Sequence, residues 1–157
     1  MDKTDLVWQM ANGSKFNYLS RPRRFGKSML VDTLRCYFEG RKELFEGLKI
    51  MELEQEWVKH PVIRFDMSEA GATVAEVNSY FNRKFRELER ENSVDTFPGD
   101  SLADRFSCLL RTMSEDGKHP VAVLIDEYDS PLQHSWHTTE HEACTAIYRS
   151  VFACLKS

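Results

Sequence analysis

The sequence predicts an α/β fold with a mainly parallel sheet. Three observations carry this. Short β-branched or aromatic runs alternate with amphipathic helical stretches. One run, Val121-Ala122-Val123-Leu124-Ile125, is apolar throughout, as in a strand buried on both faces. A Gly-Lys-Ser tripeptide, Gly26-Lys27-Ser28, stands where a strand candidate gives way to a helix.

Taken in order, residues 4–11 form a short leading helix that the Asn12-Gly13 break ends. Phe16-Asn17-Tyr18-Leu19 is a short strand candidate. Pro22 keeps Ser20 to Arg24 from continuing as either regular element. From Lys27 the period becomes helical, with Leu30, Leu34, Tyr37 and Phe38 recurring until Gly40 closes the helix. Residues 41–58 are irregular or weakly helical, with Leu44, Phe45, Leu48 and Trp57 as packing anchors. After His60-Pro61, Val62 to Phe65 reads as a second strand.

The clearest helix covers 73–91, where Val74, Val77, Phe81, Phe85 and Leu88 keep one face, interrupted by Lys84. Arg83 and Glu87 stand four apart on its wet side. A loop through Phe97-Pro98-Gly99 leads to a helix carrying Leu102, Phe106, Leu109, Leu110 and Met113. Beyond the apolar strand, Thr138 or Thr139 caps a last helix that turns Ile147, Tyr148, Val151 and Leu155 inward. Trp8, Trp57, Phe81, Phe85 and Phe106 occur at core-like spacings, and none is assigned to stack on a base.

Composition excludes several classes. With 41% hydrophobic residues, 7 Gly and 5 Pro in 157 residues, the chain is neither collagen-like nor low-complexity. Its length fits one domain, 1–157, without repeats or a Gly/Ser linker. No apolar run approaches the roughly 18 residues of a membrane span, and the start lacks the pattern of a secretory signal. The formal charge of −4, from 21 Lys and Arg against 25 Asp and Glu, argues against direct nucleic-acid binding but leaves room for one local anion site. Cys36, Cys108, Cys144 and Cys154 form no CxxC pair, which points to reduced thiols and a cytoplasmic location.

The segment richest in chemistry is Arg21-Pro22-Arg23-Arg24-Phe25-Gly26-Lys27-Ser28. Amides at a helix start point outward unpaired, and the helix dipole adds partial positive charge there, so a phosphate fits. Gly26 lets the backbone approach, Lys27 reaches the β- and γ-phosphates, and the Ser28 hydroxyl ligates Mg²⁺. Arg23, Arg24, Phe25 and Met29 complete the expected nucleotide-binding stretch. Arg21 stands where the P-loop pattern expects its first glycine. Arg21, Arg23, Arg24 and Lys27 would repel one another without an anion, although solvent or acids such as Asp66 and Asp129 offer another outlet.

About 100 residues later, the apolar strand runs straight into Asp126-Glu127. Ligands of parallel α/β sheets gather beyond such strand ends. Asp126 is placed to hold Mg²⁺ beside Ser28, and Glu127 to polarise an attacking water as general base. Lys27 and Glu127 are thus the candidate catalytic pair, and Ser28 and Asp126 the candidate metal ligands.

Asp2-Lys3-Thr4, the stretch Tyr18 to Ser28 and Leu124-Ile125-Asp126-Glu127-Tyr128-Asp129 together resemble the AAA-ATPase-like family of bacterial and archaeal proteins. Leu44-Phe45-Glu46-Gly47-Leu48, Trp57 and Pro61-Val62-Ile63 fit the same pattern, so the resemblance covers nearly the whole chain. It implies a three-layer P-loop NTPase core of the additional-strand class, with Mg²⁺ and ATP as cofactors. It also implies Gly26, Lys27 and Ser28 as phosphate and Mg²⁺ ligands and Asp126 and Glu127 as the Walker B pair. In that family the first P-loop glycine is commonly absent. Members often carry a C-terminal restriction-endonuclease-like domain. Set against the family, the chain is expected to be truncated at both ends and to lack the sensor strand, which bears on turnover more than on binding; it could also self-associate.

Three other readings stand beside this one. His134, His137, His141 and Cys144, spaced three, four and three, would share a face on one continuous helix and suit Zn²⁺. A non-catalytic module gated by nucleotide is the second. An inert truncated ATPase with an exposed sheet edge is the third.

Overall fold

The computed structural model describes residues 2–17, 26–95, 99–114 and 119–156. Tyr18 to Phe25, and with them Arg21, Arg23, Arg24 and half of the first strand candidate, lie outside that set, as do Phe97 and Pro98. The described chain divides into two compact units. The first comprises residues up to Arg64 together with His119–Asp126, and the second Phe65–Lys118 together with Glu127 onward. The division falls inside a strand.

In the first unit, helix α1 covers Thr4–Asn12 and α2 covers Lys27–Phe38. A 3₁₀ turn, Lys42–Phe45, and a single helical turn, α3 at Ile50–Leu53, follow. Strand β1, Val62–Asp66, pairs in parallel with β2, Ala122–Asp126, in the sheet of the described residues. The register begins where the Ala122 amide donates to the Pro61 carbonyl at 2.9 Å. Phe16 and Asn17, half of the first strand candidate, are not in a strand.

Val7, Leu34, Phe45 and Ile50 form the buried centre of this unit, with Leu30, Tyr37, Leu48, Trp57 and Leu124 packed around them. Leu44 departs from expectation: its 3₁₀ turn points Phe45 inward and leaves Leu44 51% exposed. The Asp2-Lys3-Thr4 motif has a structural task here. The Asp2 carboxylate accepts from the Lys49 amide at 2.7 Å, and the Thr4 hydroxyl accepts from the Ile50 amide at 3.1 Å. Together they satisfy backbone donors at the start of α3, which that helix cannot pair itself. Nearby, the Tyr37 hydroxyl donates to the Glu54 carboxylate.

The second unit is helical. It contains α4 (Val74–Glu91), α5 (Leu102–Met113), α6 (Ser130–Ser135) and α7 (His141–Phe152). Both long helices start with reciprocal caps. Thr73 and Glu76 close α4, and Ser101 and Asp104 close α5, each pair satisfying two otherwise orphaned amides. Their apolar faces meet in an aromatic core. Phe65 stacks on Phe106 at 5.6 Å between ring centroids, Phe81 stacks on Phe85 at 5.8 Å, and Phe152 lies edge-on to Phe65, Phe81 and Phe106. Offset-stacked and edge-on pairs follow from the ring quadrupole and contribute about 0.5–1.5 kcal/mol each beyond area burial.

Two further expectations are corrected. The apolar residues of β2 are half-buried rather than enclosed on both faces, because β1 is its sole strand neighbour among the described residues. Thr138 and Thr139 do not cap α7; Glu140 precedes it without a side-chain bond, and the Thr138 hydroxyl instead donates to the Ser135 carbonyl at 2.6 Å. Arg83 and Glu87 both lie exposed on the outer side of α4, as their spacing predicts, and Arg83 sets its guanidinium over the Tyr80 ring, 5.7 Å from its centroid.

Candidate functional site

Helix α2 begins without a side-chain cap. Gly26 stands at its N-cap with φ of 76°, in the left-handed region that glycine enters freely and other residues enter at a cost. The Gly26 carbonyl accepts the first helical bond from Leu30 at 3.0 Å, and the first turn carries no acidic side chain. Its outward amides and the dipole of a 12-residue helix therefore face the position before Lys27 with net positive character. Lys27 is half-buried, Ser28 is exposed, and the Met29 side chain is 74% exposed.

Asp126 ends β2 with 4% exposure. Its Oδ2 accepts the Ser28 hydroxyl at 2.9 Å. Two residues 98 positions apart are thus brought into direct contact, because α2 packs on β2 through the cluster containing Leu30, Leu34 and Leu124. A buried carboxylate needs charge or hydrogen-bond compensation. Ser28 supplies part, and Arg64 of β1 supplies charge, with Nη2 3.7 Å from the same Oδ2. Arg64 Nη1 also donates to Asp32 of α2 at 2.5 Å.

Neither Arg64 nor Asp32 was singled out from the sequence. The available signals were slight. Arg64 breaks the apolar run Val62-Ile63-Arg64-Phe65, and Asp32 follows Ser28 by four positions, on the same helix face. Glu127 comes directly after β2 and adopts φ of 53°, unusual for a residue with a side chain. Its carbonyl accepts from the Ser130 amide at 3.0 Å, which opens α6.

The donor set at Asp126 and Ser28 suits a hard cation. Mg²⁺ prefers oxygen and is commonly held by one or two protein oxygens, with waters and phosphates completing the octahedron. Among the described residues no group of three or more His, Cys, Asp or Glu side chains is arranged to hold a metal without such help.

The zinc alternative does not survive the geometry. His134 lies on α6 and His141 and Cys144 on α7, while α6 ends at Trp136 and His137 takes φ of 66°. His134 and His141 each engage a serine hydroxyl, and Cys144 is directed to the Ala72 carbonyl at 3.7 Å. Burial, with Glu140 and Glu76 nearby, pushes the Cys144 thiol up, away from the thiolate that zinc needs. His137 and His141 instead flank Trp136 in an open recess of about 370 Å³.

Comparison with known proteins agrees with this picture at the level of class: the mixed helices and strands are compatible with an α/β fold, and the matching family's description suggests nucleotide use. The chain belongs to the predicted AAA-ATPase family, whose model matches residues 1–157. An uncharacterized protein encoded in the vnfD 5′ region of Azotobacter chroococcum mcd 1 is 35% identical over 136 residues, 84% of this chain. The chain spans 26% of that relative's length. No solved structure matches. No helix among the described residues is long and apolar enough to cross a membrane.

Proposed function

We propose that the chain is the nucleotide-binding core of a P-loop ATPase, of the three-layer additional-strand class, that binds Mg²⁺–ATP and hydrolyses it weakly. The observation that supports this best is the 2.9 Å hydrogen bond from Ser28 to Asp126. It joins the start of an uncapped, glycine-led helix to the acid at the end of a neighbouring strand. In this reading the amides of Gly26 to Met29, with Arg23, Arg24 and Phe25, cradle phosphate. Lys27 neutralises the charge that develops on the transferred group. Ser28 and Asp126 hold Mg²⁺, which supplies Lewis-acid stabilisation of the phosphate oxygens.

Glu127 is the proposed general base, accepting the proton of the attacking water as the water oxygen bonds to the terminal phosphorus and the bond from that phosphorus to the β–γ bridging oxygen breaks, releasing ADP. Its test is a comparison of binding with turnover. Glu127→Gln keeps the side-chain size and removes the base, so ATP binding should persist while phosphate release falls about a hundredfold or more. Equal turnover in both proteins removes Glu127 from the mechanism. A reducing, cytoplasmic setting, expected from scattered cysteines without a CxxC pair, belongs to the same reading. Self-association, and a nuclease-like companion domain implied by the family resemblance, belong to the same proposal.

A further inference from the structure

Arg64 sits in β1 between Ile63 and Phe65, both buried, so strand alternation turns its side chain to the other face. There the guanidinium divides between two acids of unequal surroundings. Asp32 is at hydrogen-bond distance, 2.5 Å, but its side chain is 48% exposed. Asp126 is only 5% exposed but lies at 3.7 Å, an ion-pair contact too long for a good hydrogen bond. Arg35 lies 3.9 Å from the same Asp32 carboxylate. The oxygen of Asp126 that faces Arg64 is the one bonded by Ser28.

We propose that Arg64 is the resident counter-cation of Asp126, a positioning residue that sets how much Mg²⁺ the nucleotide site requires, and that Asp32 keeps the guanidinium from closing fully on Asp126. This rests on the reading of Ser28 and Asp126 as Mg²⁺ ligands. Asp126 is buried, and the geometry places the Arg64 guanidinium as the positive charge facing its carboxylate. Arg64 holds that place before a divalent cation binds. Once the same oxygen serves a divalent cation, Arg64 is a like charge a few ångströms away and opposes binding. Asp32 moderates the opposition by holding the guanidinium at its own carboxylate.

Removing Arg64 and removing Asp32 should therefore act in opposite directions, whereas damage to the fold would weaken both variants alike. The experiment is an Mg²⁺ titration of the full chain at fixed fluorescent ATP analogue, starting in excess chelator. A charge within about 4–6 Å changes a carboxylate's cation affinity severalfold, so Arg64→Gln should lower the Mg²⁺ midpoint by about threefold or more and Asp32→Asn should raise it by a similar factor. Arg64→Lys, which keeps the charge, should stay within about twofold of wild type. Should Arg64→Gln fail to fold by circular dichroism, the exposed Asp32→Asn carries the decision: a lowered or unchanged midpoint overturns the assignment. Shifts of the same sign in both variants, or none, also overturn it. Nucleotide binding by the wild type that ignores Mg²⁺ overturns instead the ligand roles of Ser28 and Asp126, and it shows before any variant is compared.

Discussion

Ser28 and Asp126 share a hydrogen bond of 2.9 Å across 98 positions of sequence, joining the first turn of α2 to the end of β2. The bond is local evidence that two motifs, each weak alone, occupy one place. Asp126→Asn should leave metal-free nucleotide binding within about threefold of wild type while removing most of the gain that Mg²⁺ brings, because the amide no longer offers a charged oxygen to the cation. Titrations with Mg²⁺ and with excess chelator check this. An undiminished Mg²⁺ effect in the variant would remove Asp126 from the metal site.

Glu89 and Arg105 make a paired contact inside the helical unit. Arg105 Nε lies 2.8 Å from one Glu89 oxygen and Nη2 lies 2.9 Å from the other, with Nη1 donating to Asn82 at 2.5 Å. Both side chains are close to fully buried, at 6% and 11% exposure. Deleting one partner strands the other charge, so Glu89→Ala should cost about 3–5 kcal/mol in urea unfolding. Replacing both with apolar residues of similar volume should cost far less. Single-variant costs that simply add in the double variant would show that the charges are independent.

Stability should fall at both ends of the pH scale. Asp2 is held below the usual carboxylate range by amides of Thr4 and Lys49, and Glu76 by amides of Ala72 and Thr73. Burial pushes Glu54 up, but hydrogen bonds from Tyr37 and nearby amides outweigh it and leave its value lowered. Carboxylates lowered on folding stabilise above their unfolded values, near pH 4, and that contribution disappears as pH falls through the folded ones. Tyr37 and Tyr80 run the other way: burial raises both to about 12. Their contribution is complete below the unfolded value near 10 and is lost as pH rises through about 12. Thermal melts across pH check this; in Tyr37→Phe the alkaline loss should shrink.

Much of the frame was legible in the sequence for identifiable reasons. Helix α4 follows from its period and from Thr73 and Glu76, and β1 from the run after Pro61. Other features depend on partners that no local pattern names. Glu89 reads as a solvated charge until Arg105 of α5 is placed against it. Leu44 and Phe45 are equivalent as apolar neighbours until a 3₁₀ turn chooses one. The histidine series has helical spacing, but Trp136 ends α6 and splits it. At the candidate site, Gly26 to Ser28 and Asp126 carry motif signals, whereas Arg64 and Asp32 acquire meaning only through contact. The arginines preceding Gly26 lie outside the described residues.

The central claim is that the segment at Lys27 binds nucleotide phosphate, and calorimetric titration of the chain with ATP and Mg²⁺, beside Lys27→Ala, tests it most directly. Loss of one charge-assisted contact, about 1.5 kcal/mol or more, predicts at least a roughly tenfold weaker Kd in the variant. Equal affinity in the two proteins, or a folded wild type that binds no ATP, would contradict the account.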